Sequence, residues 1–397
     1  MTHNSTATIL SGNPFATFAE QTETYTLSYD GAQGWSAPFP KVDSKNTLVL
    51  VFAACEFCTD QDPLLEIQNA YPNSAVAGCG TRGQVFEGDL QTQSISVGII
   101  RFRSTTIKTA FAPVESFDQS RQAGVKLAEG IADPLLSGVL LFADGLLTEA
   151  TDLVRGIQEV LPPNIPIAGG MASDHSLEHT WVYQQGQAVH GMACAIGLIG
   201  DKVEMACATG GGWKLIGEER TATRTSHKTI FEIDGRPALD VYKEHIGPEA
   251  IAGLPQSVIR FPIALKMDLH EVVRDVMGFD EETGAMHLAG DAPQGIGIQF
   301  MTTTPEEILD GVDEAVERLL MQTLGVNADA LCVCISCSGR GEILGDQTSE
   351  EPRLLQELLG KDVKQVGMYA FGEISTTTSG YPQNHNQTMT VAIIRER

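Results

Sequence analysis

One pattern recurs three times along the chain, and it restricts the fold more than any other feature. A continuous apolar run leads into a polar or glycine-rich loop, then an amphipathic helix, then a short strand ending at glycine. The first copy starts at Thr47 (TLVLVFAA, CEFCTDQ, DPLLEIQNAYPNS, AVAGCGTRGQV). The second starts at Ser137 (SGVLLFA, DGLLTEA, TDLVRGIQEVLPPN, IPIAGGMASDH). The third starts at Asp329 (DALCVCISCS, GRGEILGDQTSE, EPRLLQELLGKD, VKQVGMYAFGEIS). Runs rich in Val, Leu and Ile suit strands buried on both faces. In the second helix Leu153, Val154, Ile157, Val160 and Leu161 recur at helical spacing, and Pro162 stops it. Asp62 before Pro63 reads as an N-cap followed by proline at the first helical position. Each copy is thus expected to be a βαβ unit with a parallel strand pair.

Further strands follow the units: SISVGIIRF, GMACAIGLIG, VEMACATG and TMTVAIIRER. Gly200-Asp201 separates two of them and reads as an antiparallel hairpin. The expected class is α/β (mixed α+β): repeated βαβ units forming mixed, partly parallel sheets in two domains, 1–220 and 221–397. The polar stretch GEERTATRTS near Thr221 marks the boundary. Between the second and third units lies FEIDGRPALDVYKEHIG, with Asp234-Gly235 as a turn and Pro237 opening a short helix. Thr304-Pro305-Glu306-Glu307 is a capping box. It launches a helix with Ile308, Val312, Ala315, Val316, Leu319 and Leu320 on one face, ending at Gly325.

The 397 residues carry a net charge of −25. Such a surface repels phosphate backbones and anionic lipid, so nucleic acid and membrane are not expected partners. No apolar run is long enough to cross a bilayer. The start, MTHNSTATILSGNPF, lacks a basic segment followed by an apolar run, so no export signal is expected and the location is expected to be cytoplasmic. The eight cysteines are then expected to be free thiols.

In a βαβ sheet, ligands collect at the carboxyl ends of the strands. The alignment of the three units puts Cys55, Asp144 and Cys337 at roughly equivalent positions, just past their first strands. The second strands end at Gly80-Thr81-Arg82, at Gly169-Gly170 with Asp174 beyond, and near Glu373. Arg340 and Gly341 lie in the loop after Cys337. These are the candidate ligand-binding residues. Cys332 and Cys334 share a strand face and are expected to be buried filler. Cys55 and Cys58 form a C-x-x-C and Cys79 ends the neighbouring strand. With Cys337 they are candidates for zinc, an iron–sulfur centre or a redox dithiol. His175, His179, His190 and His385 are candidate axial haem ligands, although WVYQQGQAVHG reads as strand–turn–strand, not helix. No P-loop, nucleophile elbow or H-E-x-x-H is present.

Several of these segments together resemble a known family. FEIDGRPALDVYKEHIG, FPIAL, CISCSGRGEILG, VGMYAFGEIS and HNQTMTVAII resemble the FIST C domain in its order. AGCGTRGQV, LLFADGLL, IAGGMASD and the run from Trp213 to Gly217 resemble the FIST N domain. Gly80 and Gln84 replace the serine and the acid of the family's usual pattern. The resemblance implies a sensory ligand-binding protein of signal transduction, not an enzyme. Among stand-alone members it is similar to NosP-like proteins, which implies a haem-based nitric-oxide sensor regulating a partner histidine kinase in trans. The alternative is a sensor of a small metabolite, such as an amino acid, with Arg340 and loop amides holding a carboxylate. A cysteine-based metal or redox switch, or an enzyme, is the third reading. Oligomers are compatible with all three.

Overall fold

The computed structural model describes residues 22–254, 256–267, 270–323, 326, 329–377 and 380–397. The segment read for an export signal and Gly325 lie outside the described residues. No helix among those residues is long and apolar enough to cross a membrane.

The three expected units form three sheets. In each, a first strand pairs in parallel with the second: Thr47–Ala53 with Ala75–Gly80, Leu136–Ala143 with Ile167–Met171, and Leu331–Cys337 with Lys364–Ala370. Each first strand also pairs antiparallel with a return strand: Ser94–Arg101, Met192–Ile199 and Met389–Glu396. Each return strand in turn pairs with a strand that precedes its unit: Glu23–Asp30, Thr106–Pro113 and Val203–Gly210. The sheets are therefore mixed, as the patterns predict.

Both faces of each first strand are buried, and side-chain alternation explains how. Leu48, Leu50 and Phe52 point into one core with Leu140, Phe142, Val333 and Ile335. The alternate residues Val49 and Val51 face the helix Asp62–Ala70, and Val139 and Leu141 face Ala150–Gln158. Cys332 and Cys334 face the helices Pro305–Leu320 and Glu350–Leu359. The three sheets thus wall one central core, and the helices cover their outer faces. Phe52 and Phe142 meet edge to face there, ring centres 5.5 Å apart.

Between its second and return strands, each unit lends a hairpin to a neighbour. The hairpin Gln84–Phe86/Asp89–Gln91 of the first unit pairs with Lys364–Ala370 of the third. That of the third, Glu373–Thr376/Pro382–His385, pairs with Ile167–Met171 of the second. That of the second, Val182–Gln184/Gln187–Val189, pairs with Ala75–Gly80 of the first. The exchange closes a ring.

One glycine per unit makes this packing fit. Gly78, Gly169 and Gly367 lie opposite Val51, Leu141 and Cys334. A Cβ there would stand 1.8, 1.8 and 1.9 Å from the facing carbonyl oxygens. Only glycine permits that approach.

An eight-stranded, wholly antiparallel sheet is inserted between the strand Val203–Gly210 and the helix Pro305–Leu320. Its own core gathers Tyr242, Ile298 and Phe300 under the helix Ala238–Ala252. The capping box is formed: Thr304 Oγ1 accepts from Glu307 N, and Thr304 N donates to Glu307 Oε2 at 2.8 Å.

Four expectations are corrected. Met192–Ile199 and Val203–Gly210 do not pair across Gly200-Asp201; each joins a different sheet, because each finds its own unit's strands. The helix after Cys58 begins at Asp62 itself, with Gln61 as N-cap. The glycine-rich SGRGEIL is a helix, Ser338–Leu344, not a loop. Leu320, expected on the buried helix face, is 45% exposed.

Candidate functional site

The second-strand ends meet where the three units adjoin. Thr81 Oγ1 donates to Tyr369 O at 2.9 Å, Ser173 N donates to Gly80 O at 3.1 Å, and Phe371 N donates to Met171 O at 3.1 Å. Ser173 Oγ donates to Tyr369 O and accepts from Arg82 N. These loops fasten the units to one another.

The glycines among the candidates make room for protein atoms. A Cβ on Gly80 would meet the Trp181 indole at 2.7 Å, and one on Gly170 would meet Ile335 at 2.9 Å. Gly169 is the close-approach glycine already described. Gly341 lies inside the helix Ser338–Leu344, against Thr348 and Tyr369.

The carboxylates divide by what holds them. Counted three residues on from Val51, Leu141 and Cys334, the equivalent positions are Ala54, Asp144 and Cys337. The expected match of Asp144 with Cys337 therefore holds, while Cys55 is one residue beyond. Asp144 accepts from Leu146 N, Leu147 N, Gly191 N and Thr180 Oγ1, so it shapes a turn. Asp174 accepts from Ser176 Oγ, Leu177 N, Glu178 N and His179 N. Burial pushes its pKa up, yet those donors outweigh burial and hold it below the usual value.

Glu373 is different. It is 0% exposed, and its Oε2 accepts from Thr388 N and Oγ1 at 3.1 and 3.0 Å. Its Oε1 has no hydrogen-bond partner among the described residues. Burial raises its pKa to about 8. Its hairpin counterpart in the first unit is Gln84, which pairs with Met368 as Glu373 pairs with Gly170. Gln84 donates to Thr81 O and accepts from Ser94 N and Oγ. The first unit thus has a neutral amide bonded at both ends where the third has an acid with one oxygen unpaired among the described residues.

Arg340 is not available to a ligand. Its side chain is 0% exposed. Nε donates to Glu351 Oε1 at 2.6 Å, Nη1 to Gly211 O at 2.7 Å, and Nη2 to Ile308 O at 2.7 Å. Ser336 Oγ and Tyr369 OH complete Glu351 at 2.7 and 2.8 Å. The expectation that Arg340 holds a carboxylate is corrected: it holds one, but that of Glu351.

The cysteines do not gather. Among the described residues no three His, Cys, Asp or Glu side chains are placed to hold a metal. Cys79 faces Met368 in the central core, Sγ to Sδ 3.5 Å. Cys55 and Cys58 lie half-buried on a single 3-10 turn. Burial, then Glu56, pushes the Cys55 thiol up to about 11, opposite to a reactive thiolate. Of the histidines, His179 is exposed beside Glu178, and His190 Nδ1 lies 2.6 Å from Thr180 O. His175 is exposed; His385 is buried on the strand paired with Glu373.

A cavity of about 580 Å³ opens beside Cys337. One wall is the third unit, with Cys337, Ser338 and Phe371. The second unit supplies Gly145, Leu146, Thr148–Ala150 and Met171, and the inserted sheet supplies Asp275–Met277, Leu288 and Ala289. Three exposed apolar side chains stand on its rim, Phe117, Leu177 and Met277 at 53%, 64% and 65% exposed, beside the charged Arg82, Lys228 and Glu342. Its floor is polar. Asn384 and Asn386, each 2% exposed, line it, and their Oδ1 atoms have no hydrogen-bond partner among the described residues. The same holds for Ser338 Oγ and Asp275 Oδ1. Asp275 is half-buried on the cavity wall, with Oδ1 itself out of contact with solvent, and desolvation raises its pKa to about 7. Cys337, with Glu373 and Asp275 as neighbours, is held well above the usual thiol range by burial and then by their charge.

Sequence reasoning missed Asp275, Asn384 and Asn386. One signal was present: Asp275 falls between the apolar pairs Val272-Val273 and Val276-Met277, at the junction of two strands. In HNQTM only the histidine drew a role, whereas its amide neighbours face the cavity.

A cavity walled by several strand ends, with apolar side chains at its mouth and a few buried polar groups, has the form of a small-molecule pocket. The comparisons with known proteins narrow this. The FIST N domain model matches residues 47–236 and the FIST C domain model residues 238–376, and the chain belongs to the FIST family. FIST domains are sensory, ligand-binding domains of signal transduction. No curated protein matches the sequence. A solved structure of PurLQS from Thermotoga maritima is 8% identical and covers 95% of this chain and 72% of that one, with a TM-score of 0.17. At that score the likeness carries no argument.

Proposed function

We propose that this protein senses a small metabolite bound in the 580 Å³ cavity and passes occupancy to a signalling output protein, such as a histidine kinase, in trans. The observation that carries the reading is the set of buried, unpartnered polar atoms at the cavity floor. Leaving such groups unpaired costs about 1–3 kcal/mol each, which a ligand recovers by pairing them. The inserted sheet forms one wall, so a ligand that bridges to the opposite wall biases how the two lie.

The haem-based nitric-oxide reading needs an axial ligand on the cavity wall. None of the described lining residues is a histidine, and Cys337 is held protonated by its surroundings. The residues present do not fit haem at this site, so the metabolite reading stands ahead.

Two measurements test it. Protein from haem-replete cells is expected to show no Soret band; a Soret band with stoichiometric iron restores the haem reading. In a small-molecule thermal-shift screen, compounds that raise Tm are expected to lose their effect in Ala289→Trp, which fills the cavity from the inserted sheet. Equal shifts in both proteins would place the ligand elsewhere.

A further inference from the structure

We infer that the cavity takes a protonated amine that carries an apolar body and no carboxylate. The inference rests on the cavity being the ligand site. Its first ground is the sign of the unpaired groups. Asp275 Oδ1 and, behind Cys337, Glu373 Oε1 have no hydrogen-bond partner among the described residues. Burial keeps both carboxyls partly protonated near neutral pH, and a cation bound beside them favours the ionised form, which only accepts hydrogen bonds. Asn384 and Asn386 present an amide that can turn either end inward, so they adapt to whatever the carboxyls select. The floor therefore asks for a donor with positive charge.

The second ground is that the two cations lining the cavity, Arg82 and Lys228, are each already in an ion pair. Arg82 Nη2 is 2.6 Å from Glu342, and Lys228 Nζ is 3.2 Å from Glu149. Lys228 also lies over the Phe117 ring, 5.2 Å from its centre. Arg340 is enclosed with Glu351. Arg274, next to Asp275 in the chain, does not line the cavity; its Nη1 donates to Asn384 O at 2.8 Å, and its Nε has no hydrogen-bond partner among the described residues. A ligand carboxylate would enter beside Asp275 and Glu373 and would have to share a cation already paired with a carboxylate. An ammonium meets neither obstacle.

The third ground is the mouth. Phe117, Leu177 and Met277 are exposed apolar side chains on a cavity wall. They give an alkyl or aryl body somewhere to lie while the head group reaches the floor. An amine of this kind sheds no bond on binding; the ammonium keeps its proton, and Asp275 gives up its own as the ion pair forms.

The test is a matched panel on the full chain: 2-phenylethylamine and hexylamine, their alcohols, and the corresponding amino acid and acid, phenylalanine and 3-phenylpropionate. Affinity is read by calorimetry in two buffers of different ionisation enthalpy. The amines are expected to bind at least tenfold more tightly than the alcohols and acids, with proton release near pH 7. Asp275→Asn is expected to cost the amines at least tenfold and to leave the alcohols unchanged. If alcohols or acids bind the cavity as well as the amines, and lose binding in Ala289→Trp, the cavity stands and the amine assignment falls. If nothing in the panel binds, or Ala289→Trp binds all of it as the parent does, the cavity reading falls and takes the inference with it. Amine binding unchanged in a folded Asp275→Asn protein also overturns it.

Discussion

Arg340 illustrates what a motif can and cannot say at the scale of a residue. Its place after a strand, between glycines, suggested a ligand's counter-ion. The structure uses it to tie the helix Ser338–Leu344 to Gly211, Ile308 and Glu351. Arg340→Ala leaves Glu351 buried and unpaired as a charge, and is expected to cost about 3–5 kcal/mol in denaturant unfolding. The carboxyls behave differently. Asp275 and Glu373, ordinarily near 3.8 and 4.5, stand at about 7 and 8 because they are buried. The unfolded chain ionises them first. Their contribution is full below about pH 4 and is lost as pH rises through 7 to 8. Glu396 has the opposite sign: burial opposes its charge, but donors from Arg103, Ser104 and Thr105 hold it down to about 2, so its contribution disappears in acid. Tm is therefore expected to be higher at pH 5 than at pH 8.5, with a shallower fall in Asp275→Asn. A slope unchanged by that substitution would show that Asp275 ionises as freely folded as unfolded.

Among the elements, the βαβ units were legible because their signals are local. Strand, helix and turn each have a period or a punctuation mark within a dozen residues. The helix Ser338–Leu344 was hidden because S-G-R-G is poor in helix formers; packing fixes it, with Gly339 against Gln387 and Arg340 anchored beneath. The hairpins were hidden for another reason. Glu373 and Gly170 lie some two hundred residues apart in sequence, and nothing in either segment names its partner. Asp275 was missed because one acid between two strands looks like an ordinary turn residue. The crossing glycines are the element-scale test. Gly169→Ala drives a Cβ into the Leu141 carbonyl and is expected to cost about 3 kcal/mol or more. Gly31→Ala, with nothing within 4 Å, is expected to stay within about 0.5 kcal/mol. Similar losses at the two sites, read from urea midpoints, would mean that the sheets can separate at the crossing.

For the whole molecule, the exchanged hairpins make the three units interdependent. A fragment spanning residues 22–200 keeps two units but loses the third wall of the central core. It also strands the hairpin Gln84–Gln91 and bares the edge of Ile167–Met171. Such a fragment is expected to bind a hydrophobic dye and to melt without a cooperative transition. A sharp transition with a native near-ultraviolet spectrum would show that each unit folds by itself.

The closed ring also separates the order of the units in the chain from their order in space. Thr22 Oγ1 lies 3.4 Å from Glu396 Oε2, so the first described strand begins where the last one ends. Gly200-Asp201 only carries the chain from one sheet to the next. A circular permutant that joins Arg397 to Thr22 and opens at Asp201 keeps every strand pair of the ring. In this architecture the path of the chain between sheets is separable from the pairing that closes the ring.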